Sequence, residues 1–413
     1  MKGKRLSRRQ FLHAVMGGGV GTGLVLSGFY RPRPAYGQEP IPILGAIPLT
    51  GPYAFEGGLL RRGHEMAIQK DFNGKVLGRP IKYVIRDTET DAGTATRRVA
   101  EAIDTEDVRA IVGPWSSGVA LAITDVAKQK KRVHYFSGGT HHLAGKDCHR
   151  YGFQWAASPY TAAWAVLEYV MKTKPDAKRW YMLTVDYAFG WAIEEFATLI
   201  GEKEYGINFV GKDRHVLGER EYSPFITKAA AVRPDVLLLN NFGLDAVQAI
   251  REAHAFGIAQ DTQIVVMWSS GFEDYIQLTP EMRDGLIIGS NFYPKIDTPV
   301  AKRWVQMYQE QFGELPGYAP SSNYSMMRIL LRAIERAGSD KPAEIVKALE
   351  GWEFEDLLGK MSIDPNTHQT IRPYFVTRGK AKGKDKLDVA DIVHSSDKPM
   401  PRELNECKDI GSL

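Results

Sequence analysis

Cysteine is nearly absent from this sequence, which has only Cys148 and Cys407 among its 413 residues. A single pair can form at most one disulfide bond. In an oxidising compartment we predict that these two cysteines pair and fix the C-terminal tail to the first half of the chain. Two separate thiols are the alternative.

Acidic residues are absent from the first 37 positions, although the whole chain has 49 of them. This segment carries seven of the 53 Lys and Arg residues, so the formal charge changes from +4 to 4 − 7 = −3 when it is removed. A nearly neutral protein gives no electrostatic reason to expect an anionic membrane or nucleic acid as a partner. No RNA-binding or zinc-finger motif is present either. We therefore predict no nucleic-acid partner.

Long hydrophobic runs are also lacking, since no stretch beyond residue 37 reaches the roughly 20 apolar residues needed to span a bilayer. The first 37 residues combine a basic start, a glycine-rich and weakly apolar run, Phe11–Phe29, and small residues before Gly37. This pattern predicts a signal peptide, 1–37, cleaved near Gly37. Its segment Ser7-Arg-Arg-Gln-Phe-Leu12 resembles the twin-arginine export motif, which implies a periplasmic protein that folds before export. A retained N-terminal membrane anchor is the alternative.

Catalytic signatures are missing from the mature chain, which has no Gly-x-Ser-x-Gly, no Walker loop and no His-Glu-x-x-His. We predict no enzymatic activity and no cofactor, although a catalytic triad is a spatial arrangement that sequence motifs can miss. His141 and His142, with Asp147, Cys148 and His149 nearby, could hold a metal ion. Adjacent histidines rarely ligate one ion together, and no ligand spacing typical of metal sites is present, so we predict no metal.

The chain does have a regular alternation of β-rich runs and helical patterns from residue 41 onward. Such alternation is typical of βαβ units around a parallel sheet. It breaks at Ser158-Pro159 and restarts, which gives a second unit of similar size ending near Ser290. Three helical patterns and two short strands follow. We expect the Lys-, Gly- and Pro-rich tail, 378–413, to be loosely ordered apart from the apolar run Leu387–Val393.

Small and hydroxyl-bearing residues follow two consecutive predicted strands, in the turns Gly113-Pro-Trp-Ser-Ser-Gly118 and Ser137-Gly-Gly-Thr140. Ligands of open parallel sheets bind outside the carboxyl ends of the strands. There the free N–H groups and partial positive charge of a helix N-terminus suit a carboxylate or phosphate, and Ser116 and Ser117 add hydroxyl donors. Ordinary βα turns, in which serine only caps the helix, are the alternative.

Several segments resemble those of type I periplasmic binding proteins, with the branched-chain amino-acid-binding proteins as the nearest branch. The resemblance runs from about Ile41 to Thr377, and its specificity comes from the order and spacing of the motifs together. These motifs are Ile43-Leu-Gly-Ala-Ile-Pro-Leu-Thr-Gly-Pro-Tyr-Ala54, Asp87-Thr-Glu-Thr-Asp91, Ile111-Val-Gly-Pro-Trp-Ser-Ser117, Asp186-Tyr-Ala-Phe-Gly190, Arg233-Pro-Asp-Val-Leu-Leu-Leu239, Ala253-His-Ala-Phe-Gly257 and Gly285-Leu-Ile-Ile-Gly289.

The resemblance implies an α/β fold of two Rossmann-like lobes with parallel sheets, joined by three hinge crossovers and closing on a ligand. We expect the crossovers near Ser158, Ser290 and Trp352. The predicted divisions are lobe one, 41–157 plus 291–351; lobe two, 158–290 plus 352–380; and a C-terminal tail, 381–413. In this family an ABC permease and ATPase complex recognises the closed form. We therefore predict a monomeric, periplasmic substrate-binding component of an ABC importer.

Proteins similar to these hold the ligand's α-carboxylate with a serine side chain and small-residue N–H groups of lobe one. The matching positions are Ser117, Gly138 and Thr140. Aromatic residues at Phe189 and Phe242 would come from lobe two. Further rings in the cleft loops can stack on a flat ligand or pack an apolar tail, although roughly half of them should belong to the core. These further rings are Tyr53, Phe55, Trp115, Tyr160, Tyr187, Trp191, Trp268 and Phe272.

The half of the site that would bind a ligand ammonium matches less well. Relatives usually place a Glu or Asp after the lobe-two strand that ends here at Trp268, whereas this chain has Ser269-Ser-Gly271, with Ser270 facing the ligand. A buried ammonium without a partner is costly, and Glu56 could replace the missing acid unless it is a solvated loop charge. Because Trp115 adjoins the serines, we predict a small carboxylate with an apolar or aromatic body. It is a hydrophobic or branched-chain amino acid, or an aromatic or aliphatic acid without an amino group. A ligand sensor for a membrane receptor is the alternative role.

Overall fold

The computed structural model describes residues 39–413, and the predicted signal peptide lies outside the described residues. Two α/β lobes and a small three-stranded sheet make up this part of the chain. Among residues 39–413 no helix combines the length and the hydropathy that a bilayer span requires.

Lobe one begins with six strands and three helices. The strands are β1 Ile41–Ile47, β2 Lys75–Val76, β3 Arg79–Asp87, β4 Ala110–Val112, β5 Val133–Phe136 and β6 Gly152–Gln154. The helices are α1 Ala54–Met66, which continues as a π-helical turn Ala67–Asp71, α2 Ala92–Glu106 and α3 Ser117–Lys130. The sheet order is β2-β3-β1-β4-β5-β6, and all neighbours are parallel except the β2–β3 hairpin.

Both faces of this sheet are covered, as the alternation of side chains along β1 shows. Ile43 and Ile47 pack in the main core together with Leu60 of α1. Leu44 and Ala46 point the opposite way, into the cluster formed with α2 and α3. Successive side chains of a strand alternate between faces, so an apolar run without polar interruptions fits a strand buried on both sides. Because helices cover both faces, a ligand can reach this sheet at the edge formed by the carboxyl ends of its strands.

Lobe two repeats this architecture with its own strands and helices. The strands are β7 Arg179–Val185, β8 Asn208–His215, β9 Val236–Asn240, β10 Gln263–Val266 and β11 Ile287–Ser290. The helices are α4 Pro159–Thr173, α5 Ala188–Tyr205, α6 Ser223–Val232, α7 Leu244–Ala255, α8 Phe272–Tyr275 and α9 Pro280–Arg283. Helix α4 starts where the sequence predicts the second unit, because Ser158 accepts the N–H of Thr161 at 3.0 Å and Pro159 occupies the first turn.

The chain then returns to lobe one. Helices α10 Pro299–Phe312, α11 Tyr318–Ala337 and α12 Pro342–Leu349 follow, and α11 packs along α1. Three short strands, β12 Glu353–Asp356, β13 Gly359–Ile363 and β14 Thr370–Ile371, form a separate antiparallel sheet. A bridge between Gln154 and Gln369 links this sheet to β6 of lobe one.

The division predicted for the end of lobe two differs from the structure. Residues 353–371 adjoin lobe one, whereas the sequence predicts that 352–380 belong to lobe two. The two strands that do join the lobe-two sheet are β15 Tyr374–Gly379 and β16 Ala390–Ser396, both antiparallel. The order of that sheet is β16-β15-β11-β10-β9-β7-β8. The third crossover therefore lies at Arg372-Pro373 and not near Trp352, and proline separates β14 from β15 because it cannot continue a ladder.

The three crossovers meet at Asn291, directly after β11. Its side-chain oxygen accepts the backbone N–H of Ala157, which lies on the first crossover, at 3.0 Å. Its carbonyl oxygen accepts a hydrogen bond from the guanidinium of Arg372 on the third crossover. The Arg372 side chain is buried and lies 4.0 Å above the ring of Trp155. One residue therefore joins all three connections between the lobes.

The tail is ordered against both lobes, contrary to the expectation of a loose segment. After β16 in lobe two, residues 397–413 return to lobe one, and we call them the C-terminal strap. The lobe-two hydroxyl of Thr161 donates to the carbonyl of Lys398 at 2.8 Å, and the amide of Asn405 donates to the carbonyl of Ala144 at 3.2 Å. The structure pairs Cys407 of the strap with Cys148 of lobe one, with a sulfur–sulfur distance of 2.05 Å.

Removal of this disulfide should lower stability, because the bond joins residues 259 positions apart and restricts the unfolded chain. For Cys148→Ser combined with Cys407→Ser, we expect the free energy of unfolding to fall by about 3–5 kcal/mol. The measurement is urea unfolding followed by circular dichroism. Reductant should lower the midpoint of the wild-type protein and leave the double variant unchanged. Equal midpoints for the two proteins would contradict the stabilising role.

Candidate functional site

The cleft lies at the carboxyl ends of β4 and β5, where lobe one meets lobe two. The turn after β4 starts at Gly113, whose φ of +104° favours glycine. A β-carbon at this position would lie 2.3 Å from the carbonyl oxygen of Ala46, so only glycine lets the turn pass β1 so closely. This turn delivers Trp115 and Ser117 to the cleft at the start of α3.

Two serines of lobe one present hydroxyl groups to the cleft. The Oγ of Ser117 accepts the N–H of Gly139 at 2.8 Å, which leaves the Ser117 hydroxyl proton free to donate to a ligand. Ser137 is buried, and its Oγ has no hydrogen-bond partner among residues 39–413. Ser117, Ser137 and Gly139 line one cavity, next to the N-terminus of α3. Such a set of donors fits a carboxylate.

Gly138 and Thr140, the other two predicted carboxylate-binding positions, lie in the same turn but do not line the cavity. The side-chain amide of Gln154 donates to the carbonyl of Gly138 at 2.6 Å and to that of Thr140 at 3.0 Å. The hydroxyl oxygen of Thr140 accepts the N–H of His142 at 3.4 Å. In the structure these contacts hold the turn, and Ser137 and Gly139 are the members that reach the cavity.

Aromatic rings from both lobes form the rest of the cavity wall. Trp115 of lobe one lies 5.4 Å from Phe242 of lobe two, measured between ring centroids. The hydroxyl groups of Tyr53 and Tyr187 are 2.8 Å apart, which gives one hydrogen bond between the lobes. The cavity has a volume of about 20 Å³, close to the space of one water molecule. The seven rings are Tyr53, Trp115, Tyr187, Phe189, Phe242, Trp268 and Tyr318.

Gly139 allows the rings of lobe two to approach the carboxyl edge of lobe one. A β-carbon there would lie 2.7 Å from the ring of Phe189 and 3.3 Å from that of Trp268. The lobes therefore touch through aromatic side chains directly beside the two serines. A ligand larger than water can enter only if these rings move apart, which the two-lobed fold allows by rotation at the crossovers.

Six of the ten rings that the sequence suggests for the cleft line the cavity. Phe55 and Trp191 are instead about half exposed, at 53% and 47%, whereas Tyr160 and Phe272 are buried outside the cavity. Sequence reasoning missed Tyr318, the first residue of α11. Its ring is 4.8 Å from that of Trp115, a contact between segments 203 positions apart (318 − 115) that no local pattern reveals.

Glu56 is buried at the junction of the lobes and not solvated. It is 3% exposed, one of its carboxylate oxygens has no hydrogen-bond partner among the described residues, and burial raises its pKa to about 7. A β-carbon on Gly243 of lobe two would lie 2.8 Å from its other oxygen. Glu56 does not line the cavity itself. Burial raises the pKa of Tyr53, which does line the cavity, and the charge of Glu56 adds to that effect.

Two more carboxyl groups are buried on lobe two, beyond the Ser269-Ser-Gly271 turn. Burial raises the pKa of Glu273 to about 8 and that of Asp274 to about 7. Glu273 accepts the N–H of Tyr318 at 3.1 Å, and Asp274 accepts the N–H of Gly271 at 2.8 Å. The Oγ of Ser269 accepts the N–H of Gly243 at 2.9 Å. Ser270 is buried at the turn and, like both acids, does not line the cavity.

Comparisons with known proteins agree with this architecture. The family model described as periplasmic binding protein matches residues 40–384. Leu/Ile/Val-binding protein homolog 3 of Brucella melitensis is 25% identical over 333 residues, which cover 77% of this chain and 86% of that protein. The amino acid ABC transporter substrate-binding protein of Pseudomonas fluorescens is 32% identical with a TM-score of 0.85, and the match covers 90% of this chain and 100% of that one.

A solute-binding protein of an ABC transporter from Rhodopseudomonas palustris, solved in complex with benzoate, has a TM-score of 0.77 and 19% identity. The match covers 90% of this chain and 100% of that chain, and at this identity it shows likeness of fold alone. The family model and the Pseudomonas relative describe substrate-binding proteins and not enzymes. The chain therefore belongs to the type I periplasmic binding proteins, in the branch that contains the Leu/Ile/Val-binding proteins.

Proposed function

We propose that this protein is the exported substrate-binding component of an ABC importer and that it captures a small carboxylate with a flat aromatic body. The observation that carries the proposal is the cavity lining, which consists of seven aromatic rings, two serines and a glycine, without any charged side chain. Aromatic walls bind the faces of a planar apolar body well. An amino acid would bring an ammonium group that this lining does not match.

The carboxylate of the ligand binds at the lobe-one edge in this proposal. Ser117 and Ser137 donate their hydroxyl protons, and Gly138 and Thr140 hold the turn that carries Ser137. The N-terminus of α3 adds backbone N–H groups and a partial positive charge, so no basic side chain is needed. Phe189 and Phe242 of lobe two then close on the ring face opposite Trp115.

Closure is the proposed mechanism. A ligand that contacts both lobes stabilises the closed state, and the permease with its ATPase recognises that state. Export through the twin-arginine-type signal peptide, a periplasmic location and action as a monomer belong to the same proposal. A sensor would use the same closure and present it to a membrane receptor.

A hydrophobic amino acid is the second candidate ligand, and Glu56 favours it. This carboxyl group is buried, and one oxygen lacks a partner. It lies at the junction of the lobes, close to Gly243, and does not line the cavity. A rotation of Tyr53 would expose it to a ligand ammonium, which would pair with the carboxylate and offset the cost of burying both charges.

A ligand screen distinguishes the two candidates. Protein unfolded and refolded to remove bound ligand is melted with benzoate, 4-hydroxybenzoate, Phe, Leu and the deaminated acids of Phe and Leu. We expect the benzoates to raise the melting temperature through mass action, and the two amino acids to leave it unchanged. Stabilisation by Phe or Leu but not by the deaminated acids would overturn the aromatic-acid assignment. Glu56→Gln should then abolish that stabilisation if Glu56 holds the ammonium.

Removal of either cavity serine should weaken carboxylate binding. For Ser117→Ala and Ser137→Ala we expect a loss of about 1.5–3 kcal/mol each, roughly a ten- to hundredfold rise in Kd, because a charge-assisted hydrogen bond is lost. Isothermal titration calorimetry measures the change. Ser116→Ala is the matched control, since Ser116 is the buried neighbour of Ser117 and does not line the cavity. Equal affinities for all three variants would refute the proposed carboxylate site.

Stability should fall as the pH rises from about 6.5 to about 8, because the buried carboxyl groups are favoured in the protonated form. Below about pH 6.5 the buried histidines, whose pKa values burial lowers, act in the opposite direction. The folded pKa of Glu273, about 8, lies above its unfolded value of about 4. Its contribution is therefore complete below about pH 4 and is lost as the pH passes about 8, with a slope of at most about 1.4 kcal/mol per pH unit.

Urea unfolding across this pH range tests the sign. Glu273→Gln should flatten the dependence, because the amide stays neutral at every pH. Glu202→Gln, which alters an exposed glutamate on α5, is the control and should keep the wild-type slope. A wild-type stability that rises between about pH 6.5 and pH 8 would show that the buried carboxyl groups do not dominate the dependence.

A further inference from the structure

Two histidines and a carboxylate converge where the strap crosses lobe one. His141 and His142 begin the short 3₁₀ turn His141–Ala144, directly after Thr140. Glu406 lies in the strap, next to the disulfide-bonded Cys407. One ligating atom from each of the three residues lies within 4.8 Å of the others. The sequence could not suggest this set, because Glu406 is 264 positions from His142 (406 − 142).

A fourth group reaches the same point from lobe two. The Nε2 of His141 is 3.7 Å from a carboxylate oxygen of Glu195 on α5. Burial raises the pKa of Glu195, and the negative charge of Glu406 adds to that effect. The cluster therefore collects side chains from lobe one, lobe two and the C-terminal strap.

Both imidazoles of the cluster are at least partly buried. Burial lowers the pKa of His141 to about 4, and burial also lowers the pKa of His142. His141 is 5% exposed, and its Nδ1 has no hydrogen-bond partner among the described residues. The ammonium of Lys146 lies close enough to lower both pKa values further, whereas the carboxylates of Asp147 and Glu406 act in the opposite direction on His142.

We propose that His141, His142, Glu195 and Glu406 form a binding site for one Zn²⁺ ion that links the two lobes and the C-terminal strap. Two imidazoles with two carboxylates are a nitrogen and oxygen ligand set that Zn²⁺ accepts in four-coordinate geometry. Ligand atoms about 2.0–2.2 Å from the ion lie roughly 3.3–3.5 Å apart in a tetrahedron. The ligand atoms of His141, His142 and Glu406 are up to 4.8 Å apart. Glu195 lies 3.7 Å from His141 but is not one of that group of three, so the exposed Glu195 and Glu406 side chains must rotate toward the histidines to complete the site.

Zinc bound there acts on closure and not on ligand chemistry. Glu195 belongs to lobe two and the two histidines to lobe one, so all four ligands reach the ion only when the lobes are together. The N–H of His142 also donates to the hydroxyl oxygen of Thr140, which ties the cluster to the turn that carries Ser137. Zn²⁺ should therefore favour the closed state for any carboxylate ligand that binds in the cleft.

The test is a titration of the tag-free protein with ZnCl₂ by isothermal titration calorimetry, with thermal melting as a second readout. We expect one ion per chain and a higher melting temperature with Zn²⁺ but not with Mg²⁺, which prefers an all-oxygen octahedron. His142→Ala and Glu406→Gln should each weaken Zn²⁺ binding by about tenfold or more. Both alter residues that are not fully buried, and melting without metal checks that the variants fold.

His254→Ala is the matched control, because His254 is also a partly buried histidine but lies on α7, outside the cluster. It should bind Zn²⁺ as the wild type does. Glu195→Gln should lower the affinity for Zn²⁺ and also remove the effect of the ion on lobe closure, measured by small-angle X-ray scattering. No heat of binding in the wild type, or unchanged binding in His142→Ala and Glu406→Gln, would overturn the proposal. An equal response to Mg²⁺ would do the same.

Discussion

The hydrogen bonds of Asn291 are the contacts on which the two-lobed arrangement depends. Its side chain and its carbonyl oxygen bind the first and third crossovers, so all three connections turn about one point. The buried guanidinium of Arg372 stacks on Trp155, and burial lowers its pKa to about 9. A charged group is costly to bury, and here its contacts are backbone carbonyls and an aromatic face. This fixed pivot sets which loops of the two sheets meet.

The anion-binding edge of the cleft and the buried carboxyl groups near it are different regions of the structure. Near its serines the positive end of α3 and free hydroxyl donors suit an anion. Outside the cavity, Glu56, Glu273 and Asp274 are buried with raised pKa values, so in their protonated form they add no negative charge that would oppose such an anion. A neutral apolar cavity with one anion-binding edge is the result.

Local signals in the sequence predicted most of the fold but only part of the site. The alternation of β-rich and helical runs predicted both sheets, and the turns at Gly113 and Ser137 placed the polar edge. The sequence did not predict the role of Tyr318 or the crossover at Arg372, because each depends on packing between segments far apart in sequence. The sequence also did not predict that the C-terminal tail is ordered. The reason is the same, since β16 of this tail is stabilised by pairing with β15. Little in the sequence supports metal binding by His141 and His142, because the carboxylates of Glu195 and Glu406 are close to them only in the folded chain.

The C-terminal strap gives the lobes a fourth connection, and this connection is closed covalently at Cys407. With three crossovers alone, the lobes of the open state can adopt many relative orientations. A fourth, covalently closed connection removes some of these orientations. It therefore reduces the conformational entropy that the protein loses when the lobes close. A larger fraction of the free protein is then closed, and the apparent affinity approaches the intrinsic affinity of the closed cleft.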